Sequence, residues 1–189
     1  MTAPNADVVT MVNRRKVIVH IATSADGYIA RPDGDIQWLT ERPEPEGFYG
    51  LIAFANTIDV KVMGRKTFEI SLELGEKFGD HNPAIVFSRQ PPPPALPPAV
   101  EWVNEPIGPY IERLCAQPGK DVWMMGGGEL IASFLDAAAI DEFVISIVPV
   151  FIGDGVPLIA RRHRQTEMEL LSSERFADGL VQNHYRIIK

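Results

Sequence analysis

Apolar, β-branched runs recur along the chain at Val17–Ala22, Ile58–Met63, Ala84–Phe87, Val100–Val103, Val122–Met125, Phe143–Val150 and Val181–Ile188, each with the length and composition of a strand. Between them, apolar residues fall at helical spacing. Phe48, Leu51, Ile52 and Ala55 share one face of Glu46–Asn56, and Leu130, Phe134 and Leu135 share one face of Glu129–Ala138. Pro109–Ala116 carries its proline near the start, where a missing N–H is tolerated. Strands that alternate with helices predict an α/β fold, with a mostly parallel central sheet and helices on both faces. The last third has strand signals and little helix, which predicts antiparallel strands added at an edge.

Composition narrows this picture. The 189 residues, 46% of them hydrophobic, suit one domain over 15–189 behind a disordered tail over 1–14. A net charge of −7 argues against nucleic acid or an anionic membrane as partner. The lone Cys115 excludes an internal disulfide, and His20, His81, His163 and His184 lack metal-binding spacing, so no metal is expected. Arg14-Arg15-Lys16 precedes a short apolar run that soon meets Ser24, Asp26 and Gly27, which favours a cytoplasmic chain over a secreted one. The proline-rich Gln90–Ala99 lies between two strands and reads as a stiff surface loop, with a docking peptide as the alternative.

Three strand ends carry candidate chemistry. Gly126-Gly127-Gly128 separates a strand from a helix, where backbone amides attract anions and missing side chains let a diphosphate approach. Gly64-Arg65-Lys66-Thr67 does the same one strand away, and cations at a helix start oppose the helix dipole unless a polyanion is bound. Ser88-Arg89 brings a hydroxyl and a guanidinium to a third strand end. Arginine's planar fork suits a phosphate, such as the additional one on the ribose of NADPH.

These segments resemble the dihydrofolate reductase-like superfamily, and among its members the reductase domain of the bifunctional riboflavin biosynthesis deaminase-reductase. The resemblance runs in order from Val17 to the C-terminus. Ile21-Ala22 and Ser24–Ala30 are similar to the family's first strand and mobile loop. Met63-Gly64-Arg65-Lys66-Thr67-Phe68-Glu69 is similar to its M-G-R-x-T-[WFY]-E motif, and Val86–Arg89 to its adenosine-side strand end. Met125–Leu130 resembles its glycine turn, and Pro149–Leu158 the P-V-x-x-G-x-G-x-x-L segment of the riboflavin-type branch. Three positions depart from the pattern. Asn82 stands where folate reductases bind glutamate with arginine, Pro43 where they carry the active-site carboxylate, and Met125 where riboflavin-pathway reductases have an acid.

The resemblance implies a three-layer dihydrofolate reductase-like sandwich and an NADPH-dependent reductase acting on a C=N or C=O group of a small polar substrate. The substrate type implied is 5-amino-6-(5-phosphoribosylamino)uracil. A pteridine-type reductase and a non-catalytic NADPH-binding regulator are the alternatives. Gly64, Arg65, Lys66, Thr67, Ser88, Arg89, Gly126, Gly127, Gly128, Glu129 and Leu130 are then expected to hold NADPH, with Ala22, Ile29 and Asp26 at the nicotinamide end. A proton donor works best with a raised pKa, and Asp26 and Glu46 are the catalytic candidates. Arg161-Arg162-His163-Arg164 could receive a substrate phosphate. The apolar C-terminal strands around Ile145–Ile152 exceed what one edge needs. They predict a homodimer, as the riboflavin-type branch forms, unless Phe176–Lys189 covers the edge within one chain.

Overall fold

The structure, a computed structural model, describes residues 14–42, 45 and 47–189. An eight-stranded sheet organises it: β1 Val17–Ser24, β3 Ile58–Gly64, β4 Ala84–Phe87, β5 Val100–Val103, β6 Asp121–Gly126, β7 Glu142–Val148, β9 Met168–Arg175 and β10 Val181–Ile187. Their order across the sheet is β5-β4-β3-β6-β1-β7-β10-β9. The six strands from β5 to β7 run parallel, and β10 runs antiparallel to both β7 and β9. Two short strands, β2 Tyr28–Ala30 and β8 Val156–Pro157, pair in a separate ribbon.

Side-chain alternation divides the core. Val17, Val19, Val62, Met124 and Phe143 face α4 (Ile107–Cys115) and α5 (Gly128–Asp136), packing with Ile111, Ile131 and Phe134. Each such large, fully buried side chain contributes about 1.5–3 kcal/mol relative to exposure. On the opposite face, Met63, Val86 and Val100 pack on Phe68 of α3 (Arg65–Glu73). The basic residues ahead of β1 have structural partners. Arg15 is buried against Asp59 and the Lys120 carbonyl, and Lys16 pairs with Glu142 at 2.8 Å.

The structure corrects several expectations. The helix expected over Glu46–Asn56 is helical only at α2, Leu51–Ala55, and Glu46 lies outside the described residues. Phe48 and Tyr49 have φ of 51° and 53°, the left-handed region that a helix cannot include. With that start lost, Ile52 is exposed and Phe54 turns to the sheet. A short helix, α1 (Gln37–Thr40), precedes it. No apolar alternation marks β9, whose residues are almost all exposed. Because β10 pairs with β7, Ile145 and Ile147 lie inside the sheet, so they are not the open edge from which a dimer was expected. The expected tail falls, but for Arg14, outside the described residues.

Candidate functional site

The carboxyl ends of neighbouring strands bring the glycine turns together. Gly64 pairs with Phe87 of β4, and Met63 with Gly126 of β6. From these ends α3 starts at Arg65 and α5 at Gly128, each behind a glycine N-cap with no capping side chain. Their first amides therefore have no side-chain acceptor, and an anion can take that place. The two turns abut. A β-carbon on Gly127 would stand 3.5 Å from Thr67 Oγ1 and 3.9 Å from Ile29, and one on Gly64 would stand 3.9 Å from Leu130.

The structure also answers why three glycines occur in a row. Gly126 has φ of 115°, which side chains rarely adopt, and a β-carbon on Gly128 would run into the Pro157 carbonyl oxygen. Ala160 N–H donates to the Gly128 carbonyl at 3.1 Å, so α5 begins directly against the segment after β8. One glycine sets a backbone turn, one admits a neighbouring chain, and Gly127 lies between the two helix starts.

The polar side chains divide differently from the expectation. Arg65 donates to Glu69 at 2.6 and 2.8 Å, an i,i+4 pair that offsets its conflict with the dipole of α3, while Lys66 and Arg89 are exposed. Ser88 closes a local turn, its Oγ accepting from Gln90 N–H at 3.0 Å. Glu129 is exposed and reaches Arg162 at 3.3 Å. Arg164 pairs with Asp136, the last residue of α5, and Arg162 bridges Asp136 and Glu129 along that helix, so both guanidiniums are engaged by carboxylates. Asn82 Nδ2 donates to Glu76 and to the Lys77 carbonyl, bracing the loop before β4.

Asp26 is tied into its surroundings. Its carboxylate accepts from Ser24 Oγ at 2.5 Å, Gly153 N–H at 2.8 Å and Ile152 N–H at 3.2 Å. The Ser24 hydroxyl above all, with the two amides, holds its pKa below the ordinary carboxylate value. The raised pKa expected of a proton donor is therefore corrected. Asp26 staples the loop after β1 to the turn at Ile152-Gly153.

The mouth beside Ala22 contains residues that the sequence reading missed. Ala22 pairs with Ser146 of β7, and Ser146 with Gln182 of β10, placing one row across three strands. Gln182 Nε2 donates to Ser146 Oγ at 2.9 Å and to the Tyr49 carbonyl at 3.1 Å. Tyr49 Oη donates to Asp178 at 2.7 Å, and Arg42 Nη2 to the same carboxylate at 2.6 Å. These two partners push the Asp178 pKa down to about 2. Trp38 Nε1 and Arg42 Nε, four residues apart around α1, are buried with no partner among the described residues. The signal available was a polar residue at an inward strand position: Ser146 interrupts the otherwise apolar Phe143–Val148, and the spacing of two from Val144 fixes its face.

Comparison with known proteins agrees with this geometry. Residues 15–182 match the model of the RibD C-terminal domain family. The uncharacterized protein YwjB of Bacillus subtilis (strain 168) is 35% identical over 171 residues, spanning 90% of this chain and 97% of that protein. A solved structure from Shewanella sp. PV-4, ascribed to riboflavin biosynthesis, is 32% identical with a TM-score of 0.81, over 92% of this chain and 99% of that one. A dihydrofolate reductase from Enterococcus faecalis, solved with NADP(H) and RAB-propyl, shares the fold at 14% identity and a TM-score of 0.66, over 92% of this chain and 97% of that one.

Proposed function

We propose, from the premise that the chain belongs to the RibD C-terminal domain family, that it is an NADPH-dependent reductase of small polar substrates. The observation that carries this reading is the pair of abutting, uncapped helix starts at Gly64–Thr67 and Gly126–Gly128. Their amides suit a diphosphate, and Arg65, Lys66 and Arg89 suit a further phosphate on the ribose. NADPH supplies the hydride when bound. Ala22 and Ile29 border the reacting end, and Asp26 fixes the loop that encloses it.

The substrate type that the family suggests is 5-amino-6-(5-phosphoribosylamino)uracil, reduced at a C=N or C=O group. A second reading, reduction of an unphosphorylated pteridine, is favoured because Arg162 and Arg164 are already engaged by Asp136. NADPH oxidation followed over aminopyrimidine ribosyl phosphates, dihydrofolate and pterins separates the two. If NADPH binds and none of these is turned over, the protein is a cofactor-binding regulator. We place the protein in the cytoplasm as a homodimer. The exposed apolar residues Met168 and Leu170 on the outer strand β9 support that strand as the interface. No helix among the described residues is long and apolar enough to cross a membrane.

A further inference from the structure

His20 lies two residues before Ala22 on β1 and therefore on the same face of the sheet, one step deeper than the expected nicotinamide contact. Its row is completed by Val144 of β7 and His184 of β10. The ring stacks on Phe54 of α2, with centroids 4.5 Å apart and planes at 26°, and meets the edge of Trp123 at 6.3 Å. Phe54 and Trp123 are themselves perpendicular at 5.5 Å. All three rings are half-buried and belong to none of the hydrophobic clusters of the core.

The backbone carbonyl of His20 accepts from Trp123 Nε1 at 3.0 Å, but the imidazole nitrogens hold no hydrogen bond among the described residues. By contrast, the neighbouring His184 is held by Glu142 at 2.9 Å, and Glu142 by Lys16. One histidine of the row is thus consumed, and the other is oriented by aromatic rings yet left with both nitrogens free.

We propose that the imidazole of His20 recognises the polar edge of a planar, uncharged heterocycle bound against this face of the sheet. The inference deepens the reductase reading above and rests on it for the class of ligand. Burial first, and the neighbouring His184 second, lower the His20 pKa to about 4, so the ring is neutral near pH 7 and offers one donor and one acceptor. A neutral ring of that kind matches the alternating donors and acceptors on the edge of a pterin or a diaminopyrimidine. Phe54 and Trp123, packed on the face and edge of the imidazole, hold it in one orientation for that contact.

Calorimetric titration of the whole protein with pterin tests this without requiring turnover. Wild type is expected to bind saturably. H20F keeps the stack on Phe54 and removes both nitrogens, so it is expected to weaken binding at least tenfold, with melting temperature and NADPH affinity unchanged. Either H20N or H20Q, whose amides stand in for Nδ1 and Nε2, is expected to recover most of the loss. Pterin affinity of H20F within twofold of wild type overturns the proposal. So does equal weakness of H20F, H20N and H20Q, which marks a packing role, or an absence of saturable binding to wild type at millimolar pterin. A separate NADPH titration judges the reductase reading. Failure there with pterin binding intact removes that reading and leaves the recognition role of His20 standing.

Discussion

At the β3–β6 end of the cleft, two helices begin behind glycines and present main-chain amides, whereas at the β1–β7–β10 end the surface is made of side chains drawn from distant parts of the chain. The first end depends on what is missing: a side chain at Gly64, Gly127 or Gly128 would fill the space or block a neighbour. The second depends on Ser146, Gln182, Tyr49 and Asp178 holding one another at hydrogen-bond distance. A site built from backbone tolerates few residues at each position, while one built from side chains can change its ligand by exchanging them. Perturbing each end separately tests that division.

The largest effect is expected at Gly128. G128A drives a methyl group into the Pro157 carbonyl, and neither backbone can yield cheaply, so a loss of about 3 kcal/mol is expected in urea denaturation. A stable G128A with wild-type midpoint would show that the close approach is not obligatory. Next, Lys66→Ala and Arg65→Ala should each weaken NADPH about 10- to 100-fold and NADH much less, since a charge-assisted hydrogen bond contributes ~1.5–3 kcal/mol. Because Glu69 competes for Arg65, E69Q should tighten NADPH slightly. Parallel titrations with both cofactors decide the matter, and equal losses for the two would detach these cations from the ribose phosphate.

Smaller changes are expected at the side-chain end. D178N removes the charge that joins Arg42 to Tyr49, and amide exchange over residues 47–55 should quicken roughly five- to tenfold while exchange in α5 stays unchanged. The folded pKa of Asp178 lies below the unfolded one. Its contribution is therefore full above pH ~4 and is lost as pH falls through about 2. His20 is also depressed, so the unfolded chain binds more protons between pH ~6.5 and about 4, and stability should fall on acidification across that window. H20Q should flatten that part of a melting-temperature profile while leaving the Lys16–Glu142–His184 contacts in place. The smallest effect concerns assembly. Light scattering should show a dimer for the native chain and 21.0 kDa monomers for L170E, with cofactor binding intact.

The contrast between the two ends also explains what could be read from sequence. Gly64–Glu69 and Met125–Leu130 are contiguous, and turns at strand ends carry their own signature in glycine and charge. The apolar runs of β1, β3, β4 and β6 were equally plain, because each strand lies inside the sheet with a neighbour on both edges. Tyr49 could not be found this way. Its burial follows from two left-handed residues ahead of α2, which helical spacing alone reads as continuous helix. Neither could Asp178, which lies in a hairpin turn and acts on residues 129 and 136 positions earlier. Asp26 was legible as a loop carboxylate, but the amides that lower its pKa belong to a turn 126 residues away.

The central place of β1 has a consequence for how the chain is made. Lys16 N–H meets Asp121 across 105 residues, and the partners of β1 on both sides, β6 and β7, come late in the sequence. At ~5–20 residues per second of synthesis, β1 waits roughly 5–20 s on the ribosome before either neighbour emerges. During that interval VIVHIATS is an unpaired apolar strand with no sheet to join. Arg14, Arg15 and Lys16, which later lock onto Asp141, Asp59 and Glu142, stand immediately before it as charged gatekeepers against premature association.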